Sequence, residues 1–308
     1  MIKGKTVVFV LLIGSMLLTA CATATGGSPT QAPTSAAPTT APTPVAQIPP
    51  EDLVIKGKLL VCSDIPYPPQ EFYDANGNPQ GVDIEIAQEI ANRLGLQLQV
   101  VNSVFDTIIA AVTSGKCDIV VSAMNITPDR NKQVSMIPYF EAGQSIVVQK
   151  GNPANINQPL DLCGMSAAAE SGTTEAQYLQ GTESYSGKGL TQLCEQAGKG
   201  KLTVVLTQKD TDALQQLQSG KVAAYFTDSP VAAYYVVQNP DQFQVVGQII
   251  DPIVEGIAVP CGATDCTSAP LSPVGQAVKT ALQSMMTDGT YAAILKKWDL
   301  ENSAVTLQ

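Results

Sequence analysis

The sequence predicts an α/β protein built from two similar lobes. Three observations carry this. Short continuous apolar runs alternate with amphipathic helical stretches, which reads as parallel βαβ units. The theme occurs twice along the chain. The triplet Ser-Gly-Lys stands at a helix-to-strand junction in both halves, as Ser114-Gly115-Lys116 and as Ser219-Gly220-Lys221.

The elements follow in order. Residues 59–62, Leu-Leu-Val-Cys, form a buried strand. Residues 83–94 form a helix, with Ile86, Ile90 and Leu94 on one face and Gly95 as its stop. Leu96, Leu98 and Val100 alternate as a strand. Phe105, Ile108, Ile109 and Val112 mark a second helix ended by Gly115, and residues 118–121 are the next buried strand. In the second half, strands are predicted at 163–169, 202–206 and 222–226. Between the last two, Ala213, Leu214 and Leu217 share a helix face that Gly220 terminates. Two helices close the chain, one around Val278, Leu282 and Met285 and one over 291–298. Open α/β sheets bind ligands at the carboxyl ends of their strands, so two facing sheets place a small ligand in the cleft between them.

Composition narrows the chemistry. The chain has 308 residues, 27 acidic and 17 basic side chains, 7 Cys and no His. Without His there is no Ser-His-Asp triad and no imidazole base or metal ligand. A net charge of −10 argues against nucleic acid as a partner. At the N-terminus, Lys3 and Lys5 precede an apolar run over 7–18, the pattern of an export signal over residues 1–20. It ends Leu18-Thr19-Ala20-Cys21, which resembles the bacterial lipobox and makes Cys21 the expected lipidation site. Removing the signal takes away Lys3 and Lys5 and moves the charge from −10 to −12. Residues 22–50 carry no charge and hold seven Pro and seven Thr. They are expected, with Cys21, to form a disordered spacer reaching up to about 90 Å. Six Cys remain in a compartment that permits disulfides. Cys261 and Cys266 flank a short loop, Cys163 and Cys194 are placed to pair within one lobe, and Cys62 and Cys117 are either a bridge or two buried thiols.

Several motifs occur in order: residues 58–69, Lys-Leu-Leu-Val-Cys-Ser-Asp-Ile-Pro-Tyr-Pro-Pro; 81–86, Gly-Val-Asp-Ile-Glu-Ile; 122–130, Ser-Ala-Met-Asn-Ile-Thr-Pro-Asp-Arg; 138–140, Pro-Tyr-Phe; 170–174, Glu-Ser-Gly-Thr-Thr; and 227–228, Thr-Asp. Over residues 54–300 the set resembles the bacterial extracellular solute-binding proteins of family 3, which deliver polar amino acids to ABC importers. The resemblance implies a type II periplasmic-binding-protein fold: two open, mostly parallel sheets joined by a two-strand hinge, with crossings near Gly143-Gln144 and between Gly247 and Val254. Residues 51–145 and 250–308 would form lobe 1 and 146–249 lobe 2. It further implies a monomer that closes on a free L-amino acid and docks on an ABC permease in the membrane. No cofactor and no metal are expected, and the place is the outer face of the cytoplasmic membrane.

Ligand chemistry suggests roles for particular residues. A carboxylate wants a fork of donors, which Arg130 supplies from lobe 1. Gly172, Thr173 and Thr174, between a strand and a helix, offer hydroxyl and backbone donors from lobe 2. In the family, the position of Asp228 takes the α-ammonium; Asp228 and Arg130 are expected to stay ionised. Ser122, Ala123 and Asn125 add polar and backbone contacts, although Ala123 and Asn125 depart from the commonest family pattern. Asp64, Tyr67 and Phe105 surround the ligand side chain, and Glu71 adds a second negative charge. An acidic residue with aromatic walls favours Arg, Lys or His, then Gln. Two rival readings are a cleft enzyme of the cyclohexadienyl dehydratase type, with Glu175 as its acid or base, and the ligand-sensing subunit of a signalling system.

Overall fold

The structure is a computed structural model that describes residues 44–181, 189–262 and 266–307. The predicted export signal, Cys21 and most of the predicted spacer lie outside the described residues. The first stretch runs β1 (Lys58–Ser63), β2 (Phe72–Tyr73), β3 (Pro79–Gln80), α1 (Val82–Arg93), β4 (Gln97–Asn102), α2 (Phe105–Thr113), β5 (Ile119–Val120), α3 (Pro128–Asn131) and β6 (Ser135–Gln149). Then come β7 (Ser166–Glu170), α4 (Thr174–Gln180), α5 (Leu190–Gln196), β8 (Thr203–Thr207), α6 (Asp210–Gln218), β9 (Ala224–Asp228) and α7 (Ser229–Gln238). The chain returns through β10 (Phe243–Val259) and ends in α8 (Pro273–Asp288) and α9 (Thr290–Lys297).

The strand order is β4-β1-β5-β10-β6-β9-β7-β8. β1 lies parallel to β4 and β5, and β7 lies parallel to β8 and β9. Between these trios run β6 and β10, 15 and 17 residues long and antiparallel to each other. Because both long strands pass through both lobes, the two expected sheets form one eight-stranded ladder. Its register shifts between Val246 and Ile250 and again between Ile250 and Ile253. The first of these shifts contains Gly247, at φ +74°, and the pair stands opposite Gly143 and Gln144.

The sheet of each lobe is covered on both faces. Along β1, Leu59 and Val61 face Ile86 and Ile90 of α1 and Val278 and Leu282 of α8, while Leu60 and Cys62 face Ile108 and Val112 of α2. Period-two alternation thus divides one strand between two apolar layers. In α1 the apolar stripe of Val82, Ile86, Ala87 and Ile90 is buried, and Glu85, Glu89 and Arg93 lie outside it. Its start depends on Gly81 at φ +124°, where a Cβ would come within 2.1 Å of the Gln70 carbonyl oxygen. In the second lobe Ala167, Ala169 and Phe226 pack with α4 and α5, and Ala168 and Tyr225 with α6 and α7.

Two expectations change at their edges. Residues 44–50 belong to the folded body rather than to the spacer. Ile48 is buried in the first core with Leu53, and the Val45 N–H donates to the Arg93 carbonyl at 2.9 Å. The absence of charge concealed Ile48, which docks this segment with Ala46 packed partly against the same core. The strand expected over 163–169 begins at Ser166, because a 3-10 turn over Pro159–Leu162 and Gly164 at φ +85° precede it.

Three disulfides are present, Cys62–Cys117, Cys163–Cys194 and Cys261–Cys266, with Cα–Cα distances of 5.8, 5.4 and 5.3 Å. The first decides between the alternatives for Cys62 and Cys117. It ties β1 to the start of β5 across a separation of 55 residues. Chain-entropy arithmetic assigns such a loop about 4 kcal/mol. Cys62→Ala/Cys117→Ala is therefore expected to lower the unfolding free energy by about that amount in a urea titration, with the ligand affinity of the remaining folded protein unchanged.

Candidate functional site

The parallel strands end in one cleft. Asp64 directly follows β1, and Ser122 and Ala123 follow β5. Glu170 ends β7 and Asp228 ends β9. A narrow cavity lies between these ends, lined by Asp64, Tyr67, Glu71, Phe105, Ser122, Ala123, Asn125, Glu170, Thr173, Thr174, Glu175 and Asp228. Nine of the eleven ligand-binding residues expected from sequence line it. Arg130 and Gly172 stand beside it and touch each other, the Arg130 Nη2 donating to the Gly172 carbonyl at 3.0 Å.

Arg130 is held by a local cap. The Thr127 hydroxyl accepts from the Arg130 N–H at 3.2 Å at the start of α3, and the Arg130 Nη1 donates to the Asn125 carbonyl at 2.8 Å. Its guanidinium carbon lies 5.2 Å from the centre of the Phe105 ring, within cation–π range. Burial lowers its pKa to about 10, with Glu175, Asp228 and Glu255 opposing the shift, so it remains charged at neutral pH.

The cleft is closed by polar joints between the lobes. The Tyr67 hydroxyl donates to Asp228 Oδ2 at 2.8 Å and accepts from the Thr227 hydroxyl and the Asp228 N–H. The Thr174 hydroxyl donates to Asn125 Oδ1 at 2.6 Å, which gives the unusual Asn a side-chain role in joining the lobes. Gly172, at φ +82°, brings its backbone against Asp106 of α2; a Cβ there would sit 2.8 Å from the Asp106 Cα. Gly172→Ala is expected to hold the lobes apart and weaken ligand binding at least tenfold, with the melting temperature of the ligand-free protein lowered by only a few degrees. Calorimetric titration and thermal unfolding check the two effects separately.

Other expected residues have structural work. The Ser122 hydroxyl accepts from the Asp64 N–H at 2.8 Å and donates to Glu71 Oε1 at 2.6 Å, so it shapes the wall. The Thr173 hydroxyl caps α4, accepting from the Ala176 N–H and donating to the Glu170 carbonyl. Ala123 adopts φ +40°, and its N–H donates to Asp83 Oδ2 at 2.8 Å. Asp64 has both carboxylate oxygens engaged: Oδ2 accepts from the Phe105 N–H at 2.6 Å, and Oδ1 pairs with Lys209. Lys209, which precedes α6, stands in no motif that marks it. Its partner lies 145 positions away.

The most unexpected property is the density of acids. Asp64, Glu71, Glu170, Glu175 and Asp228 line the cavity, and Asp83, Asp210 and Glu255 are buried behind it. Burial pushes seven of these carboxyls upward: Asp83 to about 6, Asp210 to about 7, Glu170 to about 11, and Glu71, Glu175, Asp228 and Glu255 in the same direction. For Asp228, which the sequence expects to stay ionised, burial and then the neighbouring Glu175 push the carboxyl in the direction of its neutral form. An acid whose folded pKa is raised binds more protons folded than unfolded, so stability falls as pH rises. For Asp210 the window runs from its unfolded value of 3.8 up to about 7. The ligand-free protein is expected to melt at a higher temperature at pH 5 than at pH 8.

Comparison with known proteins agrees with this geometry. The profile of the bacterial extracellular solute-binding proteins, family 3, matches residues 59–301. The chain belongs to that family. Among family relatives, the probable ABC transporter arginine-binding protein ArtJ of Chlamydia trachomatis is 30% identical over 248 residues, spanning 80% of this chain and 87% of the relative. An ancestral arginine-binding protein bound to arginine is 37% identical with a TM-score of 0.67, over 79% of this chain and 98% of the other. An ancestral arginine-binding protein bound to glutamine is 36% identical with a TM-score of 0.69, over 80% of this chain and 100% of the other. This family-3 chain therefore has the type II fold and the amino-acid-binding architecture. Among the described residues no helix is long and apolar enough to cross a membrane.

Proposed function

We propose that the protein is an extracytoplasmic receptor for a free L-amino acid with a cationic side chain, arginine first, which it passes to an ABC importer while tethered through a lipid on Cys21. The observation that carries the ligand class is the acid lining of the cavity: five carboxyl side chains line it, with the Arg130 guanidinium beside it. The α-ammonium of a zwitterion favours the ionised form of the acids nearest it. A second cation on the side chain does the same for the rest, whereas an acidic side chain would add one more buried carboxyl with no counter-charge. Arg130 forks the α-carboxylate, with donors from the Gly172-Thr173-Thr174 turn opposite. Asp228 and Glu175 face the α-ammonium, and the Phe105 and Tyr67 rings enclose the stem. Binding draws the lobes together about the register shifts of β6 and β10.

The test is a thermal-shift screen of the twenty amino acids on the mature chain. Arginine at 100 times its dissociation constant is expected to add about 2.7 kcal/mol of stability. Glutamate is expected to add nothing. A response to glutamate that equals the response to arginine would end the cationic reading.

A further inference from the structure

The cleft has two carboxyl groupings, and they are not equivalent. One lies beside Arg130 and consists of Asp228 and Glu175. The other consists of Asp64, with Glu71 on the first-lobe side and Glu170 on the second-lobe side, all lining the same cavity. Asp64 is the acid that follows β1 and the one the sequence nominates for the ligand side chain. In the folded protein it is already satisfied. Lys209 reaches it from the second lobe, and the same ammonium lies 3.3 Å from the Ile65 and Ser103 carbonyls and 3.4 Å from Asn102 Oδ1. The Phe105 N–H takes the other Asp64 oxygen. Glu71 places Oε1 on the Ser122 hydroxyl, which also receives the Asp64 N–H, and its Oε2 is buried without a partner, as is Oε1 of Glu175 beside Arg130. Glu170 is only 5% exposed, and its Oε1 is buried with no hydrogen-bond partner.

We infer that Glu170, entering from the end of β7, is the carboxylate that reads the cationic end of the ligand side chain, and that Lys209 removes Asp64 from that role. The inference rests on the reading of the cleft as a receptor for a cationic amino acid. An unpartnered buried oxygen costs free energy that a ligand donor recovers. A guanidinium offers that donor as a charge-assisted bond, and the neutral ureido group of citrulline, of the same shape, offers only the weaker kind.

A proton accompanies the event. The charged and titratable groups facing Glu170 are Asp64 after β1, Lys209 and Asp210 at the start of α6, and Tyr235 on α7. Burial first, then Asp64 and Asp210, keep the Glu170 carboxyl protonated in the empty cleft, against the opposing effect of Lys209. When a cation docks, the carboxyl ionises and releases that proton to solvent. Arginine affinity then rises with pH by up to about tenfold per unit, whereas citrulline affinity lacks this extra dependence.

The experiment is calorimetric titration of arginine and citrulline into the wild-type chain, Glu170→Gln and Asp64→Asn, each in two buffers of different ionisation enthalpy. Wild type is expected to prefer arginine by at least about thirtyfold and to release one more proton with arginine than with citrulline. Glu170→Gln is isosteric with the protonated acid. It is expected to lose both the preference and the extra proton while keeping its citrulline affinity. Asp64→Asn is expected to weaken both ligands together, since it unties Lys209. If Glu170→Gln proves insoluble, Glu170→Asp decides the matter, with arginine weakened at least about tenfold relative to citrulline. An arginine preference that survives in the Glu170 variant, or vanishes in Asp64→Asn alone, overturns the inference and leaves the receptor reading standing. A wild-type chain that binds no amino acid overturns the receptor reading itself.

Discussion

Arg130→Ala is expected to abolish amino-acid binding and to leave a folded protein. The guanidinium is 6% exposed and anchored by the Asn125 and Gly172 carbonyls, so its free donors are fixed before ligand arrives. A ligand carboxylate entering the mutant would be desolvated with no cation opposite it. Breaking a buried ion pair from one side costs about 3–5 kcal/mol, which corresponds to a loss of affinity of about 10²- to 10⁴-fold. The fold does not depend on this side chain to the same degree, because the carbonyls it serves lie at the cleft. Titration calorimetry gives the affinity and thermal unfolding gives the stability. Micromolar binding retained in the mutant would remove Arg130 from the carboxylate.

Asp228→Ala is expected to have the next largest effect, a loss of about 2–5 kcal/mol in binding. Asp228 stands at the end of β9, 3% exposed, with Oδ1 unpartnered and Oδ2 held by the Tyr67 hydroxyl. The substitution removes the counter-charge of the ligand ammonium and one joint between the lobes. Tyr67→Phe separates the two contributions, because it deletes the joint and keeps the charge. It is expected to cost about 1 kcal/mol. Equal losses in Asp228→Ala and Tyr67→Phe would show that Asp228 serves closure alone.

Local patterns revealed most of the architecture. The 3.6-residue spacing of Ile86 and Ile90 and the glycine stops at 95, 115 and 220 placed α1, α2 and α6, because such signals depend on residues a few positions apart. The same holds for Thr127 and Thr173, whose capping hydroxyls bond within three residues. Contacts over long separations were harder to read. Lys209 and Asp64 come from different lobes, 145 positions apart, and nothing near position 209 advertises the partner. Glu170 offered a signal that went unused: it occupies in β7 the strand-end place that Asp228 occupies in β9, and both point to the same cleft. The upward push on Asp228 is illegible in the sequence for a related reason, since it is set by burial and by Glu175, neither of which sequence spacing displays.

The disulfides have a consequence for how the two lobes part. Cys62–Cys117 lies wholly among the strands of the first lobe and Cys163–Cys194 wholly in the second, while Cys261–Cys266 pins only a short loop. Every disulfide among the described residues is thus confined to one side of the crevice. The contacts that span it, besides the two long strands, include the hydrogen bonds and ion pair of Tyr67 on Asp228, Thr174 on Asn125, Arg130 on Gly172 and Lys209 on Asp64, and the ring contact of Phe72 with Tyr234, all of them non-covalent. The molecule is durable where it must keep its shape and reversible where it must let go. Parting the two lobes therefore breaks none of the disulfides among the described residues.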